Sequence, residues 1–199
     1  MKSHNSMDVL VTRYIGIRGT AILSREYRAE LLNRYPAWLI DEASAFDDDI
    51  ELYNDADIIK SIGDESIVYS AEYTEFGVFE ALFTAAKELK CGLRINIKDI
   101  PVKQETIEVC EFTGVNPYAL FSGLSRVIIS KDGKSTLSLL EKNGISATIV
   151  GKTADDNDKL ILNEDETGFL PHIRKDELKN KLGRRVYYER TDIIGTRKE

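Results

Sequence analysis

Three short turns carry the residue types that hold anions. They are Gly16-x-x-Gly19-Thr20, Glu72-Tyr73-Thr74-Glu75-Phe76-Gly77 and Ser122-Gly123. Each precedes or borders a segment with helical spacing. Such a turn aims free backbone amides and the positive end of a helix dipole at a phosphate. The chemistry this implies is electrostatic cradling, not bond making. Ordinary capping by Thr20 and Thr74 accounts for two of the turns without any ligand. The second turn departs from a phosphate-cradling loop in one respect. Phe76 occupies a place where glycine would give the backbone more freedom.

Other chemistries find less support. The two histidines, His4 and His172, sit in no acid–base or metal pattern. Cys91 and Cys110 lack metal-ligand spacing, and two isolated cysteines make no disulfide framework, although a single bridge stays open. Cys110 lies in a helical pattern and reads as packing. Ser122 has a glycine neighbour but no nucleophile elbow around it. The runs Asp47-Asp48-Asp49 with Glu51, and Asp155-Asp156-Asn157-Asp158, do not follow a calcium-loop spacing and read as solvated loops. No catalytic residue and no metal ligand is therefore assigned.

Bulk properties narrow the class. The chain has 199 residues, 42% hydrophobic and 31% charged, which suits one sizeable globular domain. A formal net charge of −7 argues against nonspecific binding to nucleic acid. Basic residues collect near the C-terminus, at Lys179, Lys181, Arg184, Arg185, Arg190, Arg197 and Lys198, and read as a solvated tail. The tail also holds Val186, Tyr187, Tyr188, Ile193 and Ile194, too apolar a set for a free segment. The first six residues read as a tag remnant or as the stretch before an alternative start at Met7. With no signal peptide and no apolar run of membrane length, the expected location is the cytoplasm and no membrane partner is expected.

The turns must be positioned by regular elements. Strands are expected over residues 8–15, 66–70, 93–97, 126–130, 145–151 and 158–163, with a weak strand or loop over 50–53. Helices are expected over 20–34, 37–46, 56–62, 75–90, 103–112, 135–142 and 176–182, with a short helical turn at Asn116-Pro117-Tyr118. Val78, Phe79, Leu82, Phe83, Ala86 and Leu89 form the buried stripe of the 75–90 helix, and Gly92 stands where a C-cap glycine would. The run from residue 66 to 97 reads as a β-α-β unit. The economical fold is one α/β (α+β) domain over residues 8–182, two-layered, with a mixed β-sheet and helices packed on one face, followed by a tail over 183–199.

The order of motifs resembles one family. It runs strand, Gly16-x-x-Gly19-Thr20, helix; then strand, Thr74-Glu75-x-Gly77, helix. After it come Ile100-Pro101-Val102, Glu108-x-Cys110-x-x-x-Gly114-x-Asn116-Pro117, Ser122-Gly123 and Ile145-x-Ala147-Thr148-Ile149-x-Gly151-Lys152. This resembles the C-terminal domain of the aminoimidazole ribonucleotide (AIR) synthetase superfamily over residues 8–178. The nearest branch is that of the hydrogenase maturation factor, a carbamoyl dehydratase that uses ATP. The resemblance implies a domain that closes a nucleotide cleft, with ATP and Mg as ligands. Candidate nucleotide- or phosphate-binding residues are Gly16, Gly19, Thr20, Glu72, Thr74, Glu75, Gly77, Ser122 and Gly123. In relatives the main loop reads His-Asp-x-Thr-Glu-Gly-Gly; here it is Ala71, Glu72, Tyr73, Thr74, Glu75, Phe76 and Gly77. The maturation factor's C-terminal cysteine has no counterpart in Ile194-Gly195-Thr196-Arg197-Lys198-Glu199, so that activity is not carried over.

In the family an N-terminal half supplies most ATP and metal contacts, and this sequence is expected to lack it. Three readings follow. The chain is a degenerate half-domain that binds ATP or a phosphometabolite without catalysis of its own, a noncatalytic interaction module, or a truncated form of a two-domain enzyme. The partners implied are a second copy or a separate protein bearing the N-terminal half.

Overall fold

The computed structural model describes residues 6–48, 55–73 and 75–183. The weak strand expected over 50–53 and the tail from 184 lie outside these residues, as does Thr74. Seven strands form one mixed sheet. They are β1 (Asp8–Thr12), β2 (Ile67–Glu72), β3 (Gly92–Asn96), β4 (Arg126–Ser130), β5 (Ala147–Ala154), β6 (Lys159–Asn163) and β7 (Glu166–Phe169), in the order β2-β4-β1-β5-β3-β6-β7. All pairs are antiparallel except β3 with β6. The helices are α1 (Ile17–Glu26), α2 (Arg28–Leu31), α3 (Ala37–Ser44), α4 (Asp55–Ile62), α5 (Gly77–Leu89), α6 (Gln104–Thr113), α7 (Gly133–Lys142) and α8 (Glu177–Leu182).

The fold class is the one expected, a single α/β domain with a mixed sheet. Its layering is fuller than helices on one face. Val9, Leu10 and Val11 are all buried, as are Val127, Ile128 and Ile129, so β1 and β4 are apolar on both sides. On one side Val9, Val11, Val127 and Ile129 pack on Val78, Leu82, Ala85 and Ala86 of α5. On the other, Leu10 and Ile128 meet Leu140 of α7 and Ile59 of α4. A third cluster joins α1, α2, α3, α6 and α8 through Leu23, Leu31, Ile40, Val109, Cys110 and Leu178. Burial pushes the Cys110 thiol up to about 12, with the Glu177 carboxylate adding to the effect, which fits a packing role. Both cysteines are free thiols.

Several boundaries move for physical reasons. β1 stops at Thr12 because Arg13 adopts φ 58°. α1 starts at Ile17, before the expected position, since Gly16 takes the left-handed N-cap conformation at φ 68°. The expected 20–34 helix is interrupted at Tyr27. Lys90, not Gly92, caps α5 in the left-handed region at φ 53°. Gly92 opens β3, where a Cβ would come within 2.8 Å of the Asp158 carbonyl oxygen. The β-α-β reading needs one correction: β2 and β3 run the same way but are separated by β4, β1 and β5. β7 was not expected, because its residues are all exposed and show no apolar alternation. Among the described residues no helix is long and apolar enough to cross a membrane.

Candidate anion-binding site

The Gly16 turn links β1 to α1 and is closed by hydrogen bonds. The Gly16 amide donates to Ser122 Oγ at 2.8 Å, and the Gly19 amide to the Phe121 carbonyl at 2.8 Å. Thr20 lies inside α1, not at its cap. Its hydroxyl donates to the Gly16 carbonyl at 2.7 Å and sits 3.1 Å from Thr106 Oγ1. A side chain at Gly19 would overlap Leu120, which is fully buried. These glycines thus admit the segment 120–122 against the first turn of α1, and two amides expected to face a ligand bond to protein.

The Glu72 turn is built around the same segment from the other side. The Tyr73 amide donates to the Ser125 carbonyl at 2.8 Å. Gly77 has φ 73°, and a Cβ there would stand 2.7 Å from the Tyr118 oxygen and the Ala119 carbonyl carbon. The rings of Phe79 and Tyr118 stack with centroids 4.9 Å apart. Burial pushes the Tyr73 phenol well up, and its hydroxyl has no hydrogen-bond partner among the described residues. Phe76 is the N-cap of α5 at φ −90°, an angle that does not require glycine, and makes no side-chain cap hydrogen bond. Ser122-Gly123 leads into β4, not into a helix, and Gly123 bends the chain at φ 85°. The three turns therefore meet around residues 117–125 at one end of the sheet. Glu75 is partly buried beside α5 and faces the charge of Asp176.

A cavity of about 280 Å³ opens beside the Gly16 turn. Ile17 in the first turn of α1 and the residues Ser122, Ser125 and Ser146 form one part of its wall; Arg13, Lys103, Tyr14 and Phe46 form the rest. The Lys103 ammonium stands 4.5 Å from the centre of the Phe46 ring and 5.6 Å from that of Tyr14, with Glu42 at 3.5 Å. Arg13 grips Asp55 through Nε at 2.8 Å and Nη2 at 2.6 Å, and the Asp55 side chain is 1% exposed. Asp55 in turn acts on Glu72. Burial pushes the Glu72 carboxyl up, Arg126 at 3.7 Å draws it down, and the negative charge of Asp55 raises it again. Glu72 thus faces Arg126 and Asp55 and does not line the cavity. Sequence reasoning missed Arg13, Tyr14, Phe46, Lys103, Ser125 and Ser146. The proximity of Arg13 and Tyr14 to Gly16 was the one local signal.

Both cations of the cavity stand beside carboxylates, Arg13 on Asp55 and Lys103 on Glu42. Two cations, three hydroxyls and a helix N-terminus converge on a space edged by aromatic rings. Among the described residues no cluster of three or more histidine, cysteine or acidic groups could hold a metal ion. The structure is thus that of an α/β domain whose glycine turns gather at one sheet end beside a basic cavity.

The comparisons with known proteins place this domain. A family profile described as "AIR synthase related protein, C-terminal domain" matches residues 9–163, and the chain belongs to that family. No curated protein matches it by sequence. Solved structures share its fold. The hydrogenase maturation protein HypE from E. coli aligns with TM-score 0.65 and 16% identity, covering 89% of this chain and 54% of that one. HypE in a HypE–HypF complex aligns with TM-score 0.62 and 22% identity, covering 83% and 52%. Thiamine monophosphate kinase from Aquifex aeolicus aligns with TM-score 0.52 and 16% identity, covering 81% and 51%. The chain spans about half the length of the proteins it matches.

Proposed function

We propose that the chain is a half-domain, residues 8–182, that binds ATP or a phosphorylated metabolite in the cavity beside Gly16 and does not catalyse alone. The carrying observation is the placement of Lys103, held between Phe46 and Tyr14, across from the first turn of α1. The family and the solved complex of HypE with ATP support a nucleotide or a related phosphate as the class of ligand. Chemistry is then completed by an N-terminal half on another chain in the cytoplasm, with Mg on the nucleotide. Gly16, Gly19, Thr20, Ser122 and Gly123 shape the cavity wall from behind. Thr74, Glu75 and Gly77, in the Glu72 turn, are further candidate contacts for the nucleotide.

Titration calorimetry with ATP and magnesium, and with a phosphomonoester, tests this. Lys103→Ala is expected to weaken binding at least tenfold. No heat from either ligand, with and without a candidate N-terminal partner, overturns the reading. Phe76→Gly then asks whether the loop has decayed: a gain in nucleotide affinity says that it has.

A second reading is a noncatalytic interaction module. Trp38 is 63% exposed on α3 and Ile107 38% exposed on α6, two helices that pack on each other. Light scattering that shows a monomer at high concentration, with no stable complex in pull-downs, counts against it.

A further inference from the structure

A second cavity, about 330 Å³, lies in the groove between α4 and the edge strand β2 and shares no lining residue with the first. Its floor is apolar, from Ala56, Ile59 and Ile67. Gly63 follows α4 at φ 60° and nothing lies within 4 Å of where its side chain would be, so the groove is open above it. Two cations border this floor. Lys60 is exposed and makes no ion pair among the described residues. Arg126 is 14% exposed; its Nε donates to Ser70 Oγ at 3.1 Å and its Nη2 to the Ser70 carbonyl at 3.4 Å. Its Nη1 reaches Glu72 only at 3.7 Å, beyond hydrogen-bond range.

The acid in the groove does not compete for these cations. Asp64 accepts from Thr136 Oγ1 at 2.6 Å and from the Ser66 amide at 2.9 Å, so its oxygens are turned into a hydroxyl network with Ser66 and Ser130. A lysine ammonium with no ion pair among the described residues and a guanidinium whose nearest carboxylate oxygen stands 3.7 Å away border one apolar floor, a combination suited to an anionic group with a hydrophobic body. Inorganic ions would reach the cations but leave the floor uncovered.

We propose that this groove is a second binding site, for a small organic anion whose phosphate or carboxylate pairs with Lys60 and Arg126 while its apolar body covers Ile59 and Ile67. A bound anion takes the place of Glu72 at Arg126. The proposal does not depend on the nucleotide reading of the first cavity.

The test is a titration of the full ¹⁵N-labelled chain with phenyl phosphate, benzoate and inorganic phosphate, followed by amide shifts. Saturable shifts at Gly63, Ser70 and Arg126 are expected with the aromatic ligands, and weaker ones with inorganic phosphate. Phenyl phosphate against benzoate distinguishes the two headgroups. Lys60→Ala, at an exposed position that leaves the fold intact, is expected to weaken binding at least tenfold, and Glu72→Gln to tighten it severalfold. Lys103→Ala is expected to leave these shifts unchanged. Shifts confined to Ser122 and Ser125, shifts abolished by Lys103→Ala, or no shift at Gly63, Ser70 and Arg126 at millimolar ligand would overturn the proposal.

Discussion

The Gly16 and Glu72 turns look alike in sequence and are held in different ways. The first is tied by amides that donate to Ser122 and Phe121, and its Gly19 faces a side chain, Leu120. The second is held by close approach of backbone, with Gly77 against Tyr118 and Ala119 at a left-handed φ. A glycine therefore marks two distinct needs here: room for a neighbour that can shift, and a conformation next to a neighbour that cannot. The basic cavity beside the first turn draws its charge from Arg13 and Lys103, outside both turns.

The contrast can be broken by substitution. The largest effect is expected from Gly77→Ala. Left-handed strain and overlap with fixed backbone together should cost about 4 kcal/mol, read as a fall in the urea midpoint. Gly19→Ala should cost about half as much by the same rule, because Leu120 can repack; equal losses would erase the distinction between the turns. Asp55→Ala removes the partner of Arg13 just before the first turn and relieves Glu72 in the second. Taking away the buried carboxylate that Arg13 grips should cost about 3 kcal/mol, and the Glu72 carboxyl should titrate lower in NMR. Ser122→Ala leaves the buried Gly16 amide without its acceptor, for about 1–2 kcal/mol. An unchanged midpoint would mean that the first turn does not rely on this bond.

The smallest effect comes from the far end of β2 and serves as a control. Burial pushes the Asp64 carboxyl up, but hydrogen bonds from Thr136 and Ser66 outweigh it and hold the group below the usual value of 3.8. Its folded value is depressed, so its contribution to stability is fully present above 3.8 and is lost as pH falls through the folded value. Asp64→Asn should flatten the acid side of the stability profile below about pH 4 and leave neutral-pH binding in the cavity beside Gly16 unchanged. A steep acid loss that survives the substitution would shift that role to another carboxylate.

Much of the fold was legible along the chain. The apolar stripe of α5 and the β-branched runs Val9-Leu10-Val11 and Val127-Ile128-Ile129 report their own burial, because periodicity is a local property. The family order of turns and elements was legible too, and the family match confirms it. Less legible were elements with weak local character. β7 has no apolar face, and its pairing with β6 follows from the tight turn at Glu164, at φ 51°. The end of α5 at Lys90 looked like a task for Gly92, but Gly92 was required by the close approach of the Asp158 carbonyl across the chain.

The sequence by itself determined most of the elements, the family and the three turns. Only the tertiary structure decided what those turns do. It places three strands between β2 and β3 and brings residues 117–125 between the Gly16 and Glu72 turns. It sends Glu72 toward Arg126 and assembles a basic cavity from Arg13, Phe46, Lys103 and Ser146, which lie in four separate segments. The physical reason is range. Helical and strand patterns are set by neighbours a few residues apart, whereas a cavity, an ion pair or a glycine forced by a passing backbone depends on groups that only folding brings together.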